Sequence, residues 1–143
     1  MDKVDKRVEN QIRQSGLRVT PARIAVLSLL QTFRKPLTVA EIMGLMRGKL
    51  FDQATVYRTL SSLVEHGLVR SLQIRPSTTS YEAENLPHHH HLVCIECGYV
   101  EDVYVCAVEQ VTPEVGGSFS RVTGHNLEFQ GICSQCDQVQ ERT

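Results

Sequence analysis

The sequence predicts an α+β chain of two modules, helices closed by a β-hairpin and then a small α/β module stapled by metal. Three observations predict it. Apolar residues recur at helical spacing through the first half, until an alternating stretch takes over near Ser71. Charge divides sharply, because residues 1 to 80 carry 13 Lys or Arg against 6 Asp or Glu, a balance of +7, whereas residues 81 to 143 carry 2 against 10, a balance of −8. Two Cys-x-x-Cys pairs, Cys94 with Cys97 and Cys133 with Cys136, stand in the acidic half. A basic half can neutralise phosphates, while an acidic half repels DNA and suits cations. Charge alone leaves an uneven solvated surface as the alternative. At 143 residues, 41% hydrophobic and 22% charged, the chain fits one or two soluble modules. No run approaches the roughly 20 apolar residues of a membrane span. The charged start, Met1 to Arg7, leads into an amphipathic pattern rather than a signal peptide, so the expected location is the cytoplasm, with no membrane partner.

In the basic half, Val4, Val8 and Ile12 predict a first helix over residues 3 to 14 that Gly16 closes. Thr20 caps a second, with Pro21 at its first position and Ile24, Leu27 and Leu30 on its apolar face. Pro36 breaks the chain, and Thr38-Val39-Ala40-Glu41 reads as a capping box. Ile42, Leu45 and Met46 then line one side of a third helix, which ends near Gly48 to Leu50. Asp52 caps a fourth, in which Val56, Leu60, Leu63 and Val64 face inward and Gln53, Thr55, Tyr57, Arg58, Thr59 and Ser62 face out. Leu72 and Ile74 alternate with polar neighbours up to a turn at Pro76 to Thr79, and Ser80 to Ala83 returns. Helices followed by such a hairpin make a winged helix-turn-helix. The fourth helix would enter the major groove with Gln53, Thr55, Tyr57 and Arg58, while Arg18, Arg23 and Arg75 hold phosphates. Small winged helices also bind proteins, so a protein-interaction module stays open here.

In the acidic half, the two Cys-x-x-Cys pairs are 35 residues apart. Two residues between cysteines let both thiolates converge on one ion, and two such knuckles complete the closed tetrahedral set of structural zinc. Disulfides or a redox pair are the alternative. Strands and one helix are expected between the knuckles. His88-His89-His90-His91 precedes the first knuckle among β-formers. On a strand His89 and His91 point one way and His88 and His90 the other, so one tetrad can serve two sites, with Glu82, Glu84, Asp102, Glu109 and His125 as further donors. A solvated His cluster is the plainer reading. The sequence lacks H-E-x-x-H, H-x-E and nucleophile-elbow motifs, so no enzyme is expected.

Four segments in order carry a resemblance: Arg18-Val19-Thr20-Pro21-Ala22-Arg23, Ala54 to Leu60, His88 to Gly98, and His125 to Cys136. Through them the chain resembles the ferric uptake regulator family. The resemblance implies a homodimer, with a winged-helix DNA-binding domain at 1 to 82, a hinge at 83 to 87 and an α/β dimerisation and metal-binding domain at 88 to 143. It also implies binding to palindromic double-stranded operator DNA in the metal-bound state. Structural zinc falls on Cys94, Cys97, Cys133 and Cys136. A regulatory metal falls on Glu82, His89 and His91, with Asp102 matching a carboxylate ligand of some members. A second metal site falls on His88, His90, Glu109 and His125. The expected function is a metal-dependent repressor of metal-homeostasis genes.

Two departures bear on the metal. Pro36 stands where many iron- and peroxide-responsive members have a ligating histidine, and the hinge Tyr81 to Asn85 lacks the thiol of zinc-responsive relatives. The unbroken imidazole tetrad favours Zn2+ over Fe2+ or Mn2+ as the regulatory ion. An iron-, manganese- or peroxide-responsive member is the alternative within the family, and a zinc-ribbon adaptor the alternative outside it. Cys106 matches no expected ligand; a buried apolar thiol is one reading, and an unusual ligand or redox contact the other. Val111 to Ser120 is poor in helix signals, which predicts a shortened dimer-domain helix.

Overall fold

The computed structural model describes residues 3–46, 51–106 and 113–141. Helix α1 (Lys3–Gln14) buries Val8 and Ile12 completely, whereas Val4 in its first turn stays exposed. Gly16, at φ 88°, ends it in the left-handed region, so that the amides of Gly16 and Leu17 bond back to Arg13 and Ile12. Helix α2 (Pro21–Phe33) starts as its sequence predicts. The Thr20 hydroxyl accepts the Arg23 N–H at 3.3 Å. Its inward face is wider than expected: Val26, Leu27 and Leu30 are fully buried, with Ala22 and Ala25 beside them, and Ile24 is only half-buried.

After Pro36 a two-residue strand, β1 (Leu37–Thr38), leads into α3 (Val39–Leu45). The capping box is formed: Thr38 Oγ1 accepts the Glu41 N–H at 3.2 Å, and a Glu41 carboxylate oxygen accepts the Thr38 N–H at 2.8 Å. Ile42 and Met46 face the core, but Leu45 is 44% exposed, contrary to its expected inward place. Ile42 and Met46, four residues apart, hold the inward stripe, and Leu45 lies on its flank. The expected end at Gly48 to Leu50 lies outside the described residues. Helix α4 (Gln53–Glu65) begins at the Asp52 cap and buries Val56, Leu60 and Leu63. Thr59, expected on its outer face, is buried as well, because it sits one residue before Leu60 on the edge of the inward stripe.

The hairpin is longer than its alternation suggested. Strand β2 (Val69–Arg75) and strand β3 (Thr78–Ala83) are joined by Pro76 and Ser77 alone, with Ser77 at φ 57°. Left-handed backbone at Ser77 closes the connection in two residues, so Arg75 pairs with Thr78 and the expected turn residues Thr78 and Thr79 join the ladder. The resulting antiparallel sheet has the order β1-β3-β2. Four helices and this sheet enclose one core, in which Val8, Ile12, Leu30, Leu37, Ile42, Leu60, Leu63 and Val69 are at most 2% exposed.

The chain divides into Met1–Leu86 and Pro87–Thr143. In the second unit β4 (His90–Cys94) is central, with β5 (Val100–Val103) antiparallel on one side and β6 (Glu128–Gly131) parallel on the other. A last helix, α5 (Ser134–Glu141), starts inside the second knuckle, where no helix was expected. Residues 113–127 carry no helix or strand. The core of this unit is thin, because among the described residues Val93, Cys94 and Val100 are its buried hydrophobics. Leu92, Tyr99, Tyr104, Val105, Phe119, Phe129 and Val139 are exposed. So little burial does not hold a module of this size together, and other cross-links must contribute. Among the described residues no helix is long and apolar enough to cross a membrane.

Candidate metal centres and DNA-facing surface

Strand β4 delivers Cys94 at its end, and the chain reverses at once. The Cys94 N–H bonds Tyr99 O at 2.8 Å, the Gly98 N–H bonds Cys94 O at 2.9 Å, and Gly98 takes φ 75°. Parallel pairing of β4 with β6 sets Cys94 beside Gly131 and so brings Cys133 and Cys136 against the first knuckle. The cysteines are free thiols, and the four Sγ atoms lie within 4.8 Å of one another. Cys97 Sγ stands 3.7 Å from Cys133 Sγ. A disulfide needs about 2.0 Å, whereas sulfurs about 2.3 Å from one tetrahedral zinc stand roughly 3.8 Å apart. The donor set and its spacing fit structural zinc.

The thiols are unequal. The Cys133 N–H donates to Cys94 Sγ at 3.3 Å, and with the amides of Cys97 and Glu96 it lowers the Cys94 pKa to about 6. Hydrogen bonding with Cys133, burial, and the neighbouring thiols Cys97 and Cys94 push Cys136 up to about 12. One sulfur is held ready as a thiolate, and the last proton stays until a cation offsets the crowded negative charge.

His90 and His91 open β4 and His88 and His89 lead into it, and the tetrad divides into two groups. His88 and His90 rings are 4.8 Å apart, and each lies 5.2 Å from the His125 ring. Cys106 joins this group, its Sγ 3.4 Å from His125 Nε2, and donor atoms of all four residues lie within 4.8 Å of one another. His90 is 3% exposed and its Nε2 has no hydrogen-bond partner. Burial, then the nearby His88 and His125 rings, push its pKa down, against the opposing hydrogen bond to the Leu127 backbone. A buried neutral ring with an unshared Nε2 lone pair facing other donors fits a cation. Glu109, the expected fourth ligand, lies outside the described residues.

On the other side, the His89 and His91 rings are 5.0 Å apart and both residues are buried. His89 Nδ1 bonds Pro87 O at 2.6 Å, which directs Nε2 away from the backbone. Asp102 is the cross-strand partner of His91, with Oδ1 3.7 Å from His91 Nε2, and its Oδ2 accepts from the Tyr104 hydroxyl at 3.4 Å. Glu82 belongs to the first unit. It is fully buried and pairs with the guanidinium of Arg70, its partner across β2 and β3. Sequence reading missed Arg70, since the pairing depends on the hairpin register.

On α4, Gln53, Tyr57 and Arg58 are exposed and Thr55 is half-buried. The Asp52 carboxylate accepts the Thr55 N–H at 2.7 Å, and its bonds to Thr55 hold its pKa down. Arg18 is exposed, whereas Arg23 is tied inward, donating to Arg18 O at 2.6 Å and to Ser62 Oγ at 3.3 Å. Arg23 therefore braces α2 against α4. Thr20, Arg23, Thr55, Arg58 and Ser62 line a surface groove between these helices. Arg75, on the wing, stands 3.7 Å from the Glu41 carboxylate.

The sequence profile of the ferric uptake regulator family matches residues 14–130. A ferric uptake regulation protein of Legionella pneumophila is 34% identical over 130 residues, which cover 88% of this chain and 96% of that one. A peroxide operon regulator of Bacillus subtilis is 31% identical over 130 residues, covering 87% and 88%. Among solved structures, the ferric uptake regulator of Vibrio cholerae superposes with a TM-score of 0.74 at 28% identity, over 87% of this chain and 98% of that one. With its helix-and-hairpin unit, its paired cysteine knuckles and this extent of similarity, the chain belongs to the ferric uptake regulator family of metal-responsive transcription regulators.

Proposed function

We propose that the protein is a homodimeric repressor that binds palindromic operator DNA when a divalent metal occupies its regulatory site. The observation that carries this reading is the α4 face, where exposed Gln53, Tyr57 and Arg58 stand beside the groove of Arg23 and Ser62 in a unit of net charge +7 over residues 1 to 80. Such a face suits base edges and phosphates, and charge of that sign argues against a zinc-ribbon adaptor for proteins. Exposed apolar side chains on the second unit support self-association, and two-fold symmetry of the protein would match an operator palindrome.

In this reading Cys94, Cys97, Cys133 and Cys136 hold structural zinc, which cross-links a unit with little apolar core. Glu82, His89, His91 and Asp102 hold the regulatory cation, and His88, His90 and His125 contribute to a further one. In this reading, filling the regulatory site ties metal occupancy to the presentation of α4. Imidazole-rich donors favour Zn2+, the ferric uptake relatives keep iron in contention, and Mn2+ accepts similar ligands. The genes controlled are then those of metal homeostasis. The test is selection of duplexes from a random-sequence pool on protein carrying one structural zinc per chain, with Zn2+, Fe2+ or Mn2+ added or withheld. Enrichment of a palindrome only with the added metal is expected. Equal enrichment without it rejects metal control, and no enrichment under any ion rejects DNA recognition.

A further inference from the structure

We infer that Cys106 is a metal ligand, completing with His88, His90 and His125 a three-nitrogen, one-sulfur site that takes zinc in preference to manganese. The inference rests on the reading of this cluster as a metal site and replaces its expected carboxylate, Glu109, with a thiolate.

Sheet topology explains why these residues meet. Strand β5 runs antiparallel to β4, so its last residue, Val103, pairs with His90 at the start of β4. Strand β6 runs parallel, so its first residue, Glu128, pairs with His91 at that same end. Cys106 follows β5 by three residues and His125 precedes β6 by three. Both chain segments converge where His88 and His90 enter the sheet. The Cys106 Sγ to His125 Nε2 separation is 3.4 Å, and all four donors lie within 4.8 Å of one another. An independent sign comes from His90, 3% exposed, whose Nε2 lacks a hydrogen-bond partner. A ring nitrogen left unpaired in the interior next to a thiol and two imidazoles is arranged for a cation.

The chemistry follows from the donors. As a metal–sulfur bond forms, the Cys106 thiol proton leaves to solvent, and a dication with one thiolate and three neutral imidazoles keeps a single positive charge. Four donors of this kind suit tetrahedral zinc or cobalt, whereas manganese prefers oxygen ligands in six-coordinate geometry.

Cobalt(II) is the probe. Added to full-length protein with zinc retained in the four-cysteine site, as checked by elemental analysis, it should produce one equivalent that carries a near-ultraviolet thiolate-to-cobalt charge-transfer band. Excess Mn2+ should leave the band in place. Cys106→Ser should lose the band while keeping cobalt visible-region absorption, and its zinc affinity should fall by more than the roughly 10- to 100-fold that loss of an outer-sphere partner costs. Glu109→Gln should retain the band. In the unsubstituted chain, added zinc should protect Cys106 from alkylation, located by mass spectrometry, which keeps the test independent of how the variants fold. Cobalt uptake without the charge-transfer band, or alkylation unaffected by zinc, overturns Cys106 ligation and leaves the site itself standing. No cobalt uptake beyond the structural zinc overturns the site as well. Displacement of the band by manganese overturns the selectivity.

Discussion

The carboxylate of Glu82 has no exposure to solvent, and a buried charge of that kind survives only with a partner. Arg70 is one such partner, reaching across from β2 with a guanidinium that is 39% exposed. If Glu82 is a regulatory ligand, an incoming cation competes with the guanidinium for the carboxylate oxygens. Removing the guanidinium takes away the competitor and leaves the carboxylate in greater need of a cation. Arg70→Gln should therefore raise divalent-metal affinity by about tenfold, each factor of ten being about 1.4 kcal/mol, and lower the metal-free thermal midpoint while metal restores it. Isothermal titration of zinc-stapled protein measures the first effect and scanning calorimetry the second. A variant with lower midpoint and unchanged metal affinity would assign the pair to structure alone.

At the scale of elements, the two units rest on different physics. The first has a continuous apolar core from α1 to β3, and the second has, among the described residues, three buried hydrophobics and a cluster of sulfurs. Chelation of zinc, or Cys94→Ser, should unfold the second unit while leaving the helices of the first. Circular dichroism should then retain most of its helical signal, since among the described residues α1 to α4 lie in the first unit and α5 in the second. Loss of all helicity in one transition would contradict it. What was legible in the sequence follows the same division. The caps at Thr20 and at Thr38 with Glu41 could be read because each is a contact of three residues along the chain. The two histidine groups could be read because alternation on a strand is fixed by backbone geometry. The pairing of Arg70 with Glu82 depends on the left-handed backbone at Ser77 together with a register shift in β2 between Leu72 and Arg75, and nothing in the sequence of the turn or of β2 demands either. Cys106 could be singled out but not placed with the histidines, because it reaches them only through strand order, and spacing along the chain carries no record of that order.

Over the whole molecule the charges nearly cancel, at −1, yet they are segregated, with +7 in residues 1 to 80 and −8 in residues 81 to 143. Such a protein attracts a polyanion through one part and repels it through the other, so the field orients approach as well as strengthening it. Arg58 is exposed on α4 beside the groove that α2 and Arg23 form, whereas Arg23 is occupied in bracing the two helices. Arg58 is thus the better candidate for phosphate, and Gln53 and Tyr57 for base edges. Each phosphate contact releases about 0.9 of a counterion on duplex DNA, and a symmetric dimer loses two contacts per substitution. Arg58→Ala should therefore make the slope of log affinity against log salt shallower by about 1.8, and weaken different sequences by a similar factor. Gln53→Ala should leave the slope alone and narrow the gap between operator and random duplex. An unchanged slope for Arg58→Ala would move the phosphate contacts off α4, and the docking proposed for this helix would have to be abandoned.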